Sequence, residues 1–325
     1  MKEKILKCLR EAEDYVSGQE LCQMFDVSRT AIWKVMNQLK EEGYVIDAVK
    51  NKGYRLVQTP DLVTAEEVES LLETSWAARP VVYEEEQAST NQTAKMLAEQ
   101  GASHGTLVIA ERQVSGRGRR GRPWHSPKGS GIWMSILLRP QIHPMSASML
   151  TLVAAMAVYD AISSRVEGCA IKWPNDIVID GRKVCGILTE MSSELDNIHY
   201  VVIGIGINVN TDDFPVDIAS VAASMHVITG AYYKRAEIIA DTWKAFEKYY
   251  DLFVQTENLA LMVDAYNQRL VNMDRRVVIE ERGHRYEGTA RGIDAEGALL
   301  VERDDGTTTS VISGEVSVRG VLGYV

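Results

Sequence analysis

The chain has 325 residues, of which 46% are hydrophobic and 25% charged, an ordinary globular composition that excludes disorder as the main state. At roughly 100–200 residues per domain this length predicts two or three domains. The net charge of −10, from 35 basic and 45 acidic side chains, argues against a protein that lives by coating nucleic acid.

No apolar run reaches the ~18 residues that cross a bilayer, and the charged opening MKEKILKCLREAEDY is unlike a signal peptide. Cys8, Cys22, Cys169 and Cys185 form no CxxC pair, which points away from a zinc site or a disulfide framework. A cytoplasmic protein with no membrane partner and no protein-held metal is expected. Charge is unevenly spread: residues 1–60 carry net +1 and the remainder −11. Gln58, Thr59, Pro60 and Asp61 mark a boundary through an extended, Pro-containing link.

In chain order, Ile5, Leu6, Leu9 and Ala12 recur at helical spacing. Ser17 and Glu20 fit a capping box that opens a second helix, with Leu21 and Phe25 on its buried side. After a turn at Asp26 and Val27, Ser28 caps a third helix over 29–42. Its Ile32, Met36 and Leu39 share one face, and Arg29, Thr30, Trp33, Lys34 and Asn37 the other. Strands at 44–48 and 54–57 flank the basic turn containing Lys50 and Lys52. Two helices, a short turn, a helix with a polar outer face and a basic hairpin predict a winged helix-turn-helix. Ser28, Arg29, Thr30, Trp33, Lys34, Asn37, Lys50 and Lys52 are the candidate contacts to double-stranded DNA. A solvated helical bundle is the plainer alternative. The weak net charge predicts weak binding by a single copy, which a dimer reading two half-sites would repair.

Residues 111–122 hold five arginines and one glutamate. Gly116, Gly118 and Gly121 satisfy GxGxxG, yet Pro123 and Trp124 follow where a dinucleotide fold needs an apolar helix, and the other kinase motifs are missing. Glycine lets backbone approach a ligand, and arginine forks pair with phosphate. The segment reads as a clamp on a small anionic ligand rather than a solvated loop. Lys172, Asn175, Asp176 and Lys183 lie on a predicted hairpin with strands at 169–171, 177–179 and 183–190, which gathers polar groups at one site. A buried strand at 200–210 carries Gly204 and Gly206, which allow close approach of a ligand or a neighbouring sheet, and ends near Asn208. Apolar helices are expected at 149–162 and along Ile238, Ile239, Trp243, Phe246, Tyr249, Tyr250 and Phe253. From about 271 the pattern changes to short strands broken by glycine.

Ser89-Thr90-Asn91, Gln113 with the GRGRRGRxW run at 116–124, KWPND at 172–176, GRK at 181–183 with Gly186, and GIGINVN at 204–210 together resemble the biotin–protein ligases, in particular the bifunctional members that also repress the biotin operon. The resemblance spans nearly the whole chain. It implies an α+β protein: a winged helix-turn-helix at 1–60, a mixed-sheet ligase domain akin to class II synthetases at 61–270, and an SH3-like small β-barrel at 271–325.

The resemblance also implies site roles. Ser89, Thr90, Asn91 and Gln113 should line the biotin pocket, where hydroxyl and amide groups suit a buried ureido ring. Arg117, Gly118 and Arg119 should belong to a loop that closes over biotin and adenylate. Trp124 should pack near adenine, with Arg122, Lys172, Asn175 and Asn208 on the ATP side and Arg319 reaching back to the nucleotide. Lys183 should touch the biotin carboxylate and the phosphate joined to it. The implied chemistry is adenylation of biotin by ATP, with magnesium carried on the nucleotide. Biotin then passes to a lysine of the biotin carboxyl carrier protein of acetyl-CoA carboxylase. The implied regulation is operator binding by a ligand-promoted homodimer.

The biotin carboxylate is already ionised at neutral pH, so the first step needs positive charge from Arg117, Arg119, Lys172 and Lys183 rather than a base. The acceptor lysine must lose a proton in the second step. Asp176 is the candidate for taking it, the alternative being that Asp176 only orients Lys183. A lipoate or octanoate ligase and a catalytically dead biotin sensor are the rival functions.

Overall fold

The computed structural model describes residues 1–281, 284–312, 316–320 and 324–325. Helices α1 (Lys2–Glu11), α2 (Gly18–Phe25) and α3 (Arg29–Glu41) precede the hairpin β1 (Val45–Val49) and β2 (Gly53–Gln58). Both halves of the expected capping box form: Ser17 Oγ accepts from the Glu20 amide, and the Glu20 carboxylate accepts from the Ser17 amide. Ser28 caps α3 through the Ala31 amide. Ile5, Leu6, Leu9, Leu21, Ile32, Met36, Leu39, Tyr44 and Ile46 make a core belonging to this module. The wing folds back because Tyr54 pairs with Val16; a Cβ at Gly53 (φ +123°) would lie 2.1 Å from the Val16 oxygen.

Next come α4 (Ala65–Leu71), β3 (Val81–Gln87), α5 (Thr90–Glu99), β4 (Leu107–Gln113), β5 (Gly131–Leu138) and α6 (Leu150–Ser163). They are followed by β6 (Cys169–Lys172), β7 (Asp176–Ile179), β8 (Arg182–Glu194) and β9 (Asn197–Asn208). These seven strands form one mixed sheet of order β3-β4-β5-β9-β8-β7-β6, parallel only between β3 and β4. The two long helices α6 and α8 (Arg235–Thr256) pack on each other over this sheet; α7 (Met225–Thr229) precedes α8 in the chain and α9 (Val263–Arg269) follows it, against β6. The helical stretch Pro144–Ser163 has the length and apolarity to cross a membrane, which corrects the expectation that no such run exists. Its residues from Leu150 to Ala157 are all buried in the protein core.

The final module is a five-stranded antiparallel sheet ordered β13-β12-β11-β10-β14. It comprises β10 (Arg276–Glu281), β11 (His284–Ile293), β12 (Leu299–Glu302), β13 (Thr308–Val311) and β14 (Val316–Gly320). Its Val277, Ile279, Ile293, Leu299 and Val301 belong to the same apolar core as the central sheet.

The link ahead of α4 is fastened to the central body by a buried cation. Arg235 is 1% exposed and donates to Asp61 at 2.9 Å and Glu111 at 2.9 Å. Asn210, two residues past β9, adds a bond to Asp61 at 3.3 Å.

Candidate functional site

A cavity of about 360 Å³ opens on the face of the central sheet and reaches β14. Its lining includes every predicted ligand residue of the central region: Ser89, Thr90, Asn91, Gln113, Arg117, Gly118, Arg119, Arg122, Trp124, Lys172, Asn175, Asp176, Lys183 and Asn208, together with Arg319. Such a volume suits a small ligand with a few placed polar groups.

One end is neutral and polar. The Thr90 amide and hydroxyl donate to Gln113 Oε1 at 2.8 and 3.1 Å, and Gln113 Nε2 donates to Ser126 at 3.1 Å. Ser135 lies within 2.7 Å of the Thr90 hydroxyl and 2.6 Å of Asn91 Oδ1. Asn91 Nδ2 donates to Glu190 at 2.8 Å, so Asn91 is committed within the protein and shapes the wall. Ser89 precedes α5 without capping it.

The floor is glycine. A Cβ at Gly206 would sit 2.4 Å from the Trp124 indole nitrogen and one at Gly186 2.8 Å from its ring, while one at Gly204 would collide with Asn91 at 2.1 Å. What approaches these glycines is therefore a pair of site side chains, and not a neighbouring sheet. The buried Trp124 Nε1–H has no hydrogen-bond partner among the described residues.

The other end is cationic. The hairpin of β6, β7 and β8 brings Lys183 Nζ to 2.5 Å from Asp176 Oδ1, as its spacing predicted. Arg119 donates to Asn175 at 3.0 Å, and Asn175 donates to the Ile187 carbonyl at 3.0 Å. Burial pushes the Lys172 ammonium down to about 8 against the pull of Asp176, with Lys183, Arg319 and Arg119 adding to the fall. Burial would raise the Asp176 carboxyl, but Lys183 and Lys172 overcome it and hold it below its ordinary value. A carboxylate so stabilised accepts a proton poorly, which favours orienting Lys183 over general-base work. Asp176 is the only carboxylate among the described lining residues and is already engaged by Lys183, so the donors do not fit a protein-held magnesium ion.

Several further residues shape the site. Ser135 and Ser126 hold the neutral end from behind its lining, through Thr90, Asn91 and Gln113; a lone serine inside the apolar run 132–138 was the available signal. Phe214, Ile218, Val221 and Ala222, in a segment given no role, line the cavity. The Lys183 amide donates to the Val221 carbonyl at 2.7 Å, and the Ala223 amide to the Lys183 carbonyl at 2.9 Å. Tyr324 also lines the cavity. Part of the stretch expected to precede Arg319, residues 313–315, lies outside the described residues.

The candidate DNA contacts are separate from the cavity. Arg29, Thr30, Trp33, Lys34, Lys50 and Lys52 are exposed on α3 and the wing, and Asn37 is half-buried. Ser28 spends its hydroxyl on the cap. Lys52 and Arg55 flank the Tyr15 ring at 5.6 and 4.8 Å.

Three family models match the chain: an HTH domain at 2–55, the biotin/lipoate A/B protein ligase family at 83–208, and a biotin protein ligase C-terminal domain at 273–319. The chain is 40% identical over 299 residues to the bifunctional ligase/repressor BirA of Bacillus subtilis (strain 168), covering 90% of this chain and 91% of that one. Its identity to the bifunctional ligase/repressor BirA of Escherichia coli (strain K12) is 30% over 321 residues, covering 97% and 96%. The biotin protein ligase from Aquifex aeolicus, solved in complex with biotin and ATP, superposes with a TM-score of 0.65 at 29% identity, over 74% of this chain and 98% of that one.

Proposed function

The chain belongs to the bifunctional ligase/repressor family of biotin protein ligases, and on that premise we propose that the cavity adenylates biotin with ATP and passes it to a lysine of a biotin carboxyl carrier protein. The carrying observation is the polarity of one cavity: neutral hydroxyl and amide groups at Thr90 and Gln113, the former backed by the buried Ser135, and cations Lys172, Lys183 and Arg119 at the opposite end. Biotin has the same polarity, with a neutral ureido ring and a carboxylate tail. Arg117, Arg119 and Lys183 would offset repulsion between that carboxylate and the α-phosphate. Arg122, Trp124, Lys172, Asn175, Asn208 and Arg319 would hold the nucleotide.

The N-terminal helix-turn-helix supplies the repressor half. We place its boundary at 60 and the start of the last module at 271. The exposed face of α3 and the wing would read operator DNA as a homodimer favoured by bound adenylate, through linkage of the two equilibria. A cytoplasmic setting agrees with four free cysteines.

Biotin-dependent exchange of labelled pyrophosphate into ATP, with lipoate as control, tests the reading. Exchange with biotin alone is expected, together with tighter operator binding when biotin and ATP are present. Exchange driven by lipoate would identify the rival ligase. Absence of exchange in folded protein that binds biotin would leave a sensor.

A further inference from the structure

We propose that Tyr324 is a positioning residue for the adenylation step: its hydroxyl fixes the Asp176 carboxylate for Lys183 while its ring covers the Lys172 ammonium. The residue lies beyond the matched C-terminal family segment, which stops at 319. Its hydroxyl donates to Asp176 Oδ2 in a short bond, leaving Oδ1 to Lys183 at 2.5 Å. Lys172 Nζ stands 3.9 Å from the centre of the Tyr324 ring, within cation–π range.

The neighbouring Val325 is seated closely. A Cβ at Gly320 would come within 2.1 Å of the Val325 oxygen, and one at Gly181, in the β7–β8 turn, within 3.0 Å of its side chain. Glycine on both sides thus leaves room for the segment that presents the tyrosine.

The arrangement solves a problem of the cationic end. Lys183, Arg319 and Arg119 all crowd Lys172, and Asp176 is the carboxylate that both lysines face. An unanchored Asp176 could pair with either lysine and would draw both away from the phosphate. A neutral donor on one oxygen and an aromatic face for Lys172 give each lysine its own partner without adding charge. Asp176 then presents Lys183 in one orientation, where the carboxylate and α-phosphate of the substrates must meet.

The inference rests on the adenylation reading, and pyrophosphate exchange in the wild type is its control. Tyr324→Phe keeps the ring and removes the hydroxyl: kcat for biotin-dependent exchange is expected to fall about tenfold, with KM for ATP changed less than about twofold. Tyr324→Leu removes both contacts and is expected to raise KM for ATP severalfold as well. Wild-type exchange with an unchanged Tyr324→Phe enzyme would overturn the inference. So would equal losses in both variants that track a lowered melting temperature with no separation of kcat from KM. No exchange in the wild type would fail the function reading first and this inference with it.

Discussion

The two small modules at either end of the chain are joined to the central sheet by different physics. The N-terminal module keeps its own apolar core, against which Leu62 of the following link packs, and meets α4 mainly through polar pairs. Lys2 bridges Glu42 and Glu66, and Glu67 on α4 accepts from Arg10 at 2.5 Å and from Tyr44 at 2.6 Å. Among the described residues the C-terminal module has no separate core; its strands share the one that carries the central sheet. It also touches the site, since the Trp173 indole of KWPND donates to the Gly297 carbonyl at 3.0 Å. A module joined by ion pairs can change orientation at small cost, whereas one joined by a continuous core cannot. That difference suits a helix-turn-helix module held apart from the ligand cavity and a β module that shapes it.

Breaking the shared core should have the largest effect. Leu299 is fully buried there, and Leu299→Ala should cost about 2–5 kcal/mol. If the core is continuous, chemical denaturation will show the loss in the transition that also abolishes biotin and nucleotide binding. A C-terminal unfolding step that leaves ligand binding intact would refute the shared core.

A smaller effect separates the two modules by pH. Lys172, under Tyr324, has its ammonium pushed from an ordinary 10.5 down to about 8. Bound polyphosphate favours the charged form, so nucleotide binding takes up a proton whenever free Lys172 is neutral. Affinity should therefore be flat below pH 8 and fall by up to about tenfold per pH unit above it. Calorimetry with ATP between pH 7 and 9.5 would detect the limb, and Lys172→Arg should flatten it. Operator binding by the ligand-free protein should show no break at the same pH, because Lys172 lies outside the N-terminal module. A flat nucleotide profile in the wild type would show that Lys172 does not serve the nucleotide.

Legibility in the sequence follows the same division. In the N-terminal module local signals suffice: the Ser17 box and the Ser28 cap mark where α2 and α3 begin, and helical apolar spacing marks α1, whose last expected residue, Ala12, falls just past its end. In the central body the glycine, arginine and lysine motifs found the cavity, since hairpin geometry forces Lys172, Asp176 and Lys183 together. Contacts made only by long-range packing could not be read in this way. Tyr324 reaches Asp176 across 148 positions, and Arg235 reaches Asp61 across 174; neither carries a local pattern. Asn91 was found but its work was not, because its fixing by Ser135 and Glu190 depends on strands far apart in sequence.

The smallest predicted effect is the sharpest test of independence at the N-terminal end. Ser17→Ala removes a cap on α2 that no other module touches, at about 1 kcal/mol. With a separate core, thermal unfolding should show a distinct N-terminal transition, and the substitution should lower that transition alone by a few degrees. Operator binding would weaken by the fraction of modules unfolded at the assay temperature, while pyrophosphate exchange would stay at the wild-type rate. A shift of the main transition by the same amount would mean that the polar seam at Glu67 couples the modules as firmly as an apolar core. The contrast between the two ends would then lie in chemistry and not in cooperativity.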